Sequence, residues 1–389
     1  NIYSKSSTVS DFRGISINPV LSKVLEYCIL DQYSDFFVTS HNQFGFKKQS
    51  GCAHAIYTLR SVVNNYISHG STVNLCAIDL QKAYDKMNHH GLFIKLMSKH
   101  IPVNLLMLLE NWFKLGYTCV KWGTCFSDYF KLSCGIRQGG VLSPYLFAVY
   151  IDSIVENIQR EKYVGCHINF TCFSILLYAD DIILLAPSVT SLQRLLYICE
   201  RELTYLDMAI NVKKSACMRI GPRCKAESIN IVTSDGHQLE WVATIRYLGV
   251  FLICACVFTC SYSNAKKSFY RAFNAIFGKV GNSASEDVIL RLVESKCLPV
   301  LLYGLEACPL NNSQTKSLEF ALTGALMKIF KTRSKDIIDE CMLMFNLKSV
   351  RDAVTKRKSN FLSKYMCSTN ALCSAVYSTA LCEFEGLSV

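Results

Sequence analysis

The chain has 389 residues, 51% hydrophobic and 18% charged. That is enough apolar material for a large core and too little charge for general disorder. A net charge of +11 biases it toward polyanions, either nucleic acid or an anionic membrane surface.

The length fits two or three domains. The first residue is Asn1 and not Met, as expected of a fragment or processed piece. Twenty cysteines are scattered through hydrophobic segments, with no CxxC pair or Cys/His zinc spacing. They read as reduced thiols of an intracellular protein, nuclear or cytoplasmic, and not as a secreted disulfide scaffold.

In chain order, "NPVLSKVLEYCILDQYSDFF" is helix-like and "HNQFGFKKQSG" is a polar loop. "HAIYTLRSVVNNYISHG" is helical again, and "STVNLCAIDL" reads as a buried strand ending on Asp79. "GLFIKLMSKH" and "VNLLMLLENWFKL" are two helices separated near Pro102. "YTCVKWG" and "DYFKLSCG" suggest a hairpin. "SPYLFAVYIDSIVENIQR" reads as one helix, with Ser143 as N-cap and Pro144 at the first helical position. "FSILLY" and "IILLA" are short apolar strands flanking "ADD", a β-hairpin with acids at its tip. "LQRLLYICERELTYLD" is a helix and "RYLGVFL" a strand. "YLGVFLICACVFTCSY" is too short for a membrane span and reads as a strand running into a buried turn. Beyond about Cys256 the pattern is almost wholly helical. The fold class expected is α+β, followed by an α-helical tail.

Asp180 and Asp181 pose the chemical question. Aspartate is a common turn residue, but a turn does not need two adjacent acids between strands this apolar. Two neighbouring carboxylates repel unless a cation sits between them. Mg²⁺ typically takes one or two carboxylates plus substrate phosphates. Asp79, at the end of another buried strand, is the natural third acid. Two such ions could activate a hydroxyl and stabilise a leaving oxygen in phosphoryl transfer.

These residues carry a family resemblance. "YADD" resembles the hallmark hairpin of reverse transcriptases. "AIDLQKAYDKMNHHGL" resembles their motif A and "GIRQGGVLSPYLFAVYID" their motif B. "AINVKKSACM" resembles motif D, "RYLGVFL" motif E, and "DFRGISINPVLSKVLE" and "QFGFKKQSG" the two finger motifs. They occur in family order over roughly residues 11–252. The long first finger motif, the D-K-M-N-H-H continuation and "LPVLLYGLEAC" are most similar to LINE-type, non-LTR retrotransposon enzymes of the Jockey-like group.

The resemblance implies a right-hand polymerase, with fingers and palm over residues 1–255 and a helical thumb over 256–389. It implies RNA-templated extension of a DNA primer 3′-hydroxyl with dNTPs, and no membrane partner. Asp79 and Asp180 would hold two Mg²⁺ ions, for which Mn²⁺ could substitute, and Asp181 would hold or orient one. Tyr84 would lie under the incoming sugar and exclude a 2′-hydroxyl. Gln138 and Gly139 would sit beside the nucleotide, and Arg13 would clamp its triphosphate. Lys214 would donate a proton to the pyrophosphate leaving group. Tyr84 has a plainer alternative as a core aromatic. Lys47 and Lys48 either touch template or triphosphate or belong to a solvated loop, and His89 and His90 read as packing or solvent-facing groups. Asp85 reads as the cap of the next helix. The helix "NAKKSFYRAFNAIFGKV" is either a solvated surface helix or a thumb helix against a duplex. The rival functions are an inert remnant that only binds nucleic acid, and a palm cyclase acting on free nucleotides. A group II intron-type or telomerase-like enzyme is the rival within the class.

Overall fold

A computed structural model describes residues 14–161, 164–281 and 283–387. A six-stranded sheet organises the first two thirds. Its spatial order is Ile231–Val232, Gln238–Trp241, Ala216–Ile220, Val73–Ile78, Asp181–Ala186, Ile175–Tyr178. All neighbours are antiparallel except Ala216–Ile220 with Gln238–Trp241.

The strand Val73–Ile78 is central and buried on both faces, which its mostly apolar composition favours, and its one polar side chain, Asn74, is buried with its amide donating to Ala186 O. Side chains alternate across a strand, so the sheet feeds two cores. Leu75, Ile183, Leu185, Met218 and Ile220 enter one, together with the helix Cys52–Ser68. Cys76, Ile78, Ile182, Leu184 and Cys217 enter the other, against Leu92, Phe147, Ile154 and Leu196.

The predicted helices fall at Val20–Tyr33, Cys52–Ser68, His89–Ser98, Val103–Lys114 and Val189–Tyr205. Five expectations need correction. "SPYLFAVYIDSIVENIQR" breaks into Ser143–Ile151 and Ser153–Arg160. The break falls at Asp152, whose buried carboxylate accepts the Ser40 backbone N–H through both oxygens, at 3.0 and 2.9 Å. Leu142 occupies the N-cap position, so Ser143 and Pro144 lie inside the first turn. Asp85 caps nothing: it sits within the one-turn helix Ala83–Lys86. The next helix is capped by Asn88, whose side chain accepts from Gly91 N at 3.2 Å. Finally, "RYLGVFL" is a hairpin and not one strand. Leu248 and Gly249 take φ of 45° and 84° and join Thr244–Tyr247 to Val250–Ile253. Thr259–Ser261 adds a third strand, where a buried turn was expected.

From Ser263 onward the described residues are helical apart from their connections. The helix Ser263–Val280 buries Phe269 and Phe273 in the first core, and Lys328 lies over the Phe273 and Phe277 rings. Its Lys266 bonds Ser317 Oγ at 2.6 Å. Among the described residues no helix is long and apolar enough to cross a membrane.

Candidate active site

The sheet register assembles the acids. Ile78 pairs with Ile182, so one step further Asp79 stands level with Asp181 on the adjacent strand. Tyr178 pairs with Asp181 and closes the neighbouring hairpin, leaving Ala179 and Asp180 as its two-residue tip. Ala179 has φ of 56°, a left-handed conformation that costs a non-glycine residue about 1 kcal/mol or more. Gln43 holds it there. Its fully buried Oε1 accepts the N–H of Ala179 at 3.1 Å and of Gly45 at 2.9 Å. Gly45 must be glycine at this approach, because a Cβ would stand 2.7 Å from Ala179 N. Phe44 N and Leu177 N also bond across, to Leu177 O and Asn42 O. The second finger motif is thus the clamp that aims the acidic tip.

Asp79 is gripped from the motif D side. Its N–H donates to Ser215 Oγ at 3.0 Å, and its carbonyl accepts Asn211 N at 2.8 Å. Its Oδ2 accepts the Asn211 side-chain amide at 3.0 Å and lies 4.0 Å from Lys214 Nζ. Lys214 itself is well exposed.

Tyr84 is half-buried and stacked on Phe147, with ring centroids 4.5 Å apart and planes at 19°. Burial raises its hydroxyl pKa, and the Asp180 charge raises it further, which places the ring beside the acidic tip. Tyr247, on the small three-stranded sheet, is raised by burial and then by Asp181, and its buried hydroxyl has no hydrogen-bond partner among the described residues.

The motif B loop is tied to the same turn. Ile136 N donates to Tyr84 O and Gly135 N to Met87 O, both at 2.8 Å. Gln138 Nε2 lies 3.4 Å from Asp85 Oδ1, and Gln138 O accepts Ser16 N at 2.8 Å. Gly139 has φ of 113°, and a Cβ there would meet Ser16 O at 2.8 Å. Arg13 lies outside the described residues. Nearby, an open cleft of about 2110 Å³ is bordered by Lys47, Lys48, Gly140, Tyr145 and Asn370. His89 packs edge-on against Phe113 and bonds Gly135 O at 2.6 Å, while His90 is exposed.

The donor set of Asp79, Asp180 and Asp181 suits a hard divalent cation in type and strand placement. As the side chains stand, no three His, Cys, Asp or Glu groups among the described residues converge closely enough to enclose one. Asp79 Oδ2 is turned to Asn211 and Lys214 instead. Sequence reading missed Asn211, Ser215 and Gln43. Asn211 and Ser215 lie inside the quoted motif D and Gln43 opens the second finger motif, but their partners are distant in sequence.

A family model described as "Reverse transcriptase (RNA-dependent DNA polymerase)" matches residues 3–252. The chain is 25% identical over 250 residues to the Pol polyprotein of the type-2 retrotransposable element R2DM of Drosophila melanogaster, covering 62% of this chain and 23% of that protein. It is 24% identical over 315 residues to the RNA-directed DNA polymerase of the mobile element jockey of Drosophila funebris, covering 77% of this chain and 33% of that protein. The chain therefore spans between about a quarter and a third of the length of these relatives. Among solved structures, telomerase from Candida albicans in complex with a fragment of telomeric RNA aligns with a TM-score of 0.41 at 11% identity. That alignment covers 93% of this chain and 56% of telomerase. The family match runs through the motif A strand, the acidic hairpin and the loops that clamp them, and the chain belongs to the reverse transcriptase family.

Proposed function

We propose that this chain is the polymerising region of a non-LTR retrotransposon reverse transcriptase. It extends a DNA primer 3′-hydroxyl with dNTPs on an RNA template. The observation that carries this reading is the register that sets Asp79 level with the Asp180–Asp181 hairpin, with Tyr84 and the motif B loop bonded behind it. Residues 1–255 act as fingers and palm, and 256–389 as the thumb. An intracellular site of action, nuclear or cytoplasmic, accords with cysteines that are all free thiols.

Enzymes of this family generally use divalent metal ions. Here two Mg²⁺ ions, replaceable by Mn²⁺, would be held by Asp79, Asp180 and Asp181. When bound, they supply charge stabilisation at the attacking and leaving oxygens. The chain's own groups do the rest. Tyr84 presents its ring to the sugar, and Gln138 and Gly139 border the nucleotide. Arg13 takes the triphosphate, for which a planar guanidinium is suited. Lys214, held near Asp79, donates a proton to the departing pyrophosphate.

The test is Mg²⁺-dependent primer extension on an RNA template by the purified chain. Asp79→Asn and Asp180→Asn should each lower extension by several orders of magnitude while primer–template binding is kept. Near-normal extension by either variant would remove the metal assignment. Binding without extension by the wild type would identify an inert nucleic-acid binder.

A further inference from the structure

Between the helix Val103–Lys114 and the motif B loop the chain leaves the body of the molecule as a β-ribbon. Tyr117 pairs with Lys131, Thr118 with Phe130, Lys121 with Phe126 and Trp122 with Cys125. The pairing shifts by one residue between Thr118 and Val120, where Asp128 and Tyr129 form a bulge. Every residue from Val120 to Lys131 is exposed. An isolated two-stranded ribbon is marginal in water. This one nevertheless exposes Tyr117 at 60%, Phe126 at 65% and Tyr129 at 77%, with Phe130 close behind. Scattered apolar residues on a surface are ordinary, but such a density on one projecting element marks a binding surface.

Its composition indicates the occupant. Five aromatic residues are interspersed with two lysines, Lys121 and Lys131, against the single acid Asp128 in residues 117–131. Lys121 Nζ already lies 5.3 Å over the Phe126 ring, which holds a cation at the rim of an aromatic face. Flat π-surfaces with interspersed cations suit unpaired bases joined by phosphates, since bases stack while lysines meet the backbone. The root of the ribbon fixes its position. Leu132 N bonds Gly116 O at 3.1 Å, and Gly135 and Ile136, three and four residues on, bond Met87 and Tyr84.

We propose that the ribbon of residues 117–131 is a stacking platform for single-stranded RNA, carried at the edge of the active site. The inference rests on the polymerase reading only in identifying that RNA as the template strand.

The full chain is titrated with a fluorescently labelled single-stranded oligouridylate at low and high salt. Combining Tyr117→Ser, Phe126→Ser and Tyr129→Ser should weaken binding roughly fivefold or more per ring removed, at both salts. Lys121→Gln with Lys131→Gln should weaken it at low salt alone, where counterion release dominates. Saturating RNA should quench the part of the tryptophan emission that Trp122→Phe abolishes. Unchanged affinity in the aromatic variant, at an unchanged melting temperature, overturns the proposal. If that variant melts early, the absence of Trp122 quenching in the wild type overturns it instead. Loss of self-association with intact RNA affinity would also overturn it, making the ribbon a contact between copies. A wild-type chain that shows Trp122 quenching yet extends no primer refutes the polymerase reading and leaves the platform standing.

Discussion

At the scale of single residues, the site couples Asp79 to a neighbour that sets its direction. Asn211 donates to the same Asp79 oxygen that Lys214 approaches. Removing an orienting partner of this kind typically costs a metal site 10–100-fold. Asn211→Ala should therefore lower kcat by about that factor with little change in melting temperature, and kinetics with thermal denaturation read both. Tyr84 carries a sharper expectation. Its stack on Phe147 makes it a packing residue, and its place beside Asp180 makes it a candidate sugar gate. Tyr84→Val should lower the ratio of kcat/KM for dNTP over rNTP by admitting ribonucleotides. A pure packing role would lower both together and cost roughly 3–5 kcal/mol of stability, as truncation of a buried aromatic does. The acids themselves were legible in the sequence, because carboxylates inside apolar strands are costly and so conspicuous. Asn211 and Gln43 were not, since an amide in a loop is ordinary until its distant partner is known.

At the scale of elements, helices and strands followed their apolar periodicity, and the errors fell where a tight turn or a long-range polar contact intervened. The break at Asp152 is one, since its carboxylate serves the Ser40 backbone across 112 positions. The same neighbourhood holds Lys47, which donates to the carbonyls of Thr39 and Ser40 and is not a freely solvated lysine of the finger loop. Burial lowers its pKa from 10.5 to about 8, with Asp152 opposing the shift and Lys99 adding to it. The folded state then holds the proton less tightly than the unfolded chain. Stability from this group is fully present above pH 10.5 and lost as pH falls through about 8. The melting temperature of Lys47→Met minus that of the wild type should therefore decrease as pH rises from 7 to 10. Calorimetry at the two ends measures it. A constant difference would mean that water reaches the ammonium.

At the scale of the whole molecule, the recognisable motifs and the folded body do not share a border. The family match ends at residue 252, yet the core that begins on the sheet continues through Ile245 and Leu252 into Phe269, Leu301, Leu318 and Tyr365. The helix Cys52–Ser68 meets the far end of the chain directly. Tyr57 packs against Tyr365 with ring centroids 4.8 Å apart, and Thr58 shares a 2.7 Å hydrogen bond with the Tyr365 hydroxyl. Arg60 pairs with Glu383 at 2.7 Å, and Lys358 reaches the same carboxylate. Burial alone would raise the Glu383 pKa, but Arg60 and Lys358 outweigh it and hold the carboxyl below its usual range. A chain ended at Leu252 should consequently keep every motif and still fail to melt as a single cooperative transition. Supplying residues 253–389 as a separate polypeptide should restore it, as calorimetry of the mixture would show. The helices with the least motif content thus behave as the second half of a split protein. An exchange of modules between two such elements would fail at the end of the last motif, because that border cuts through the shared core.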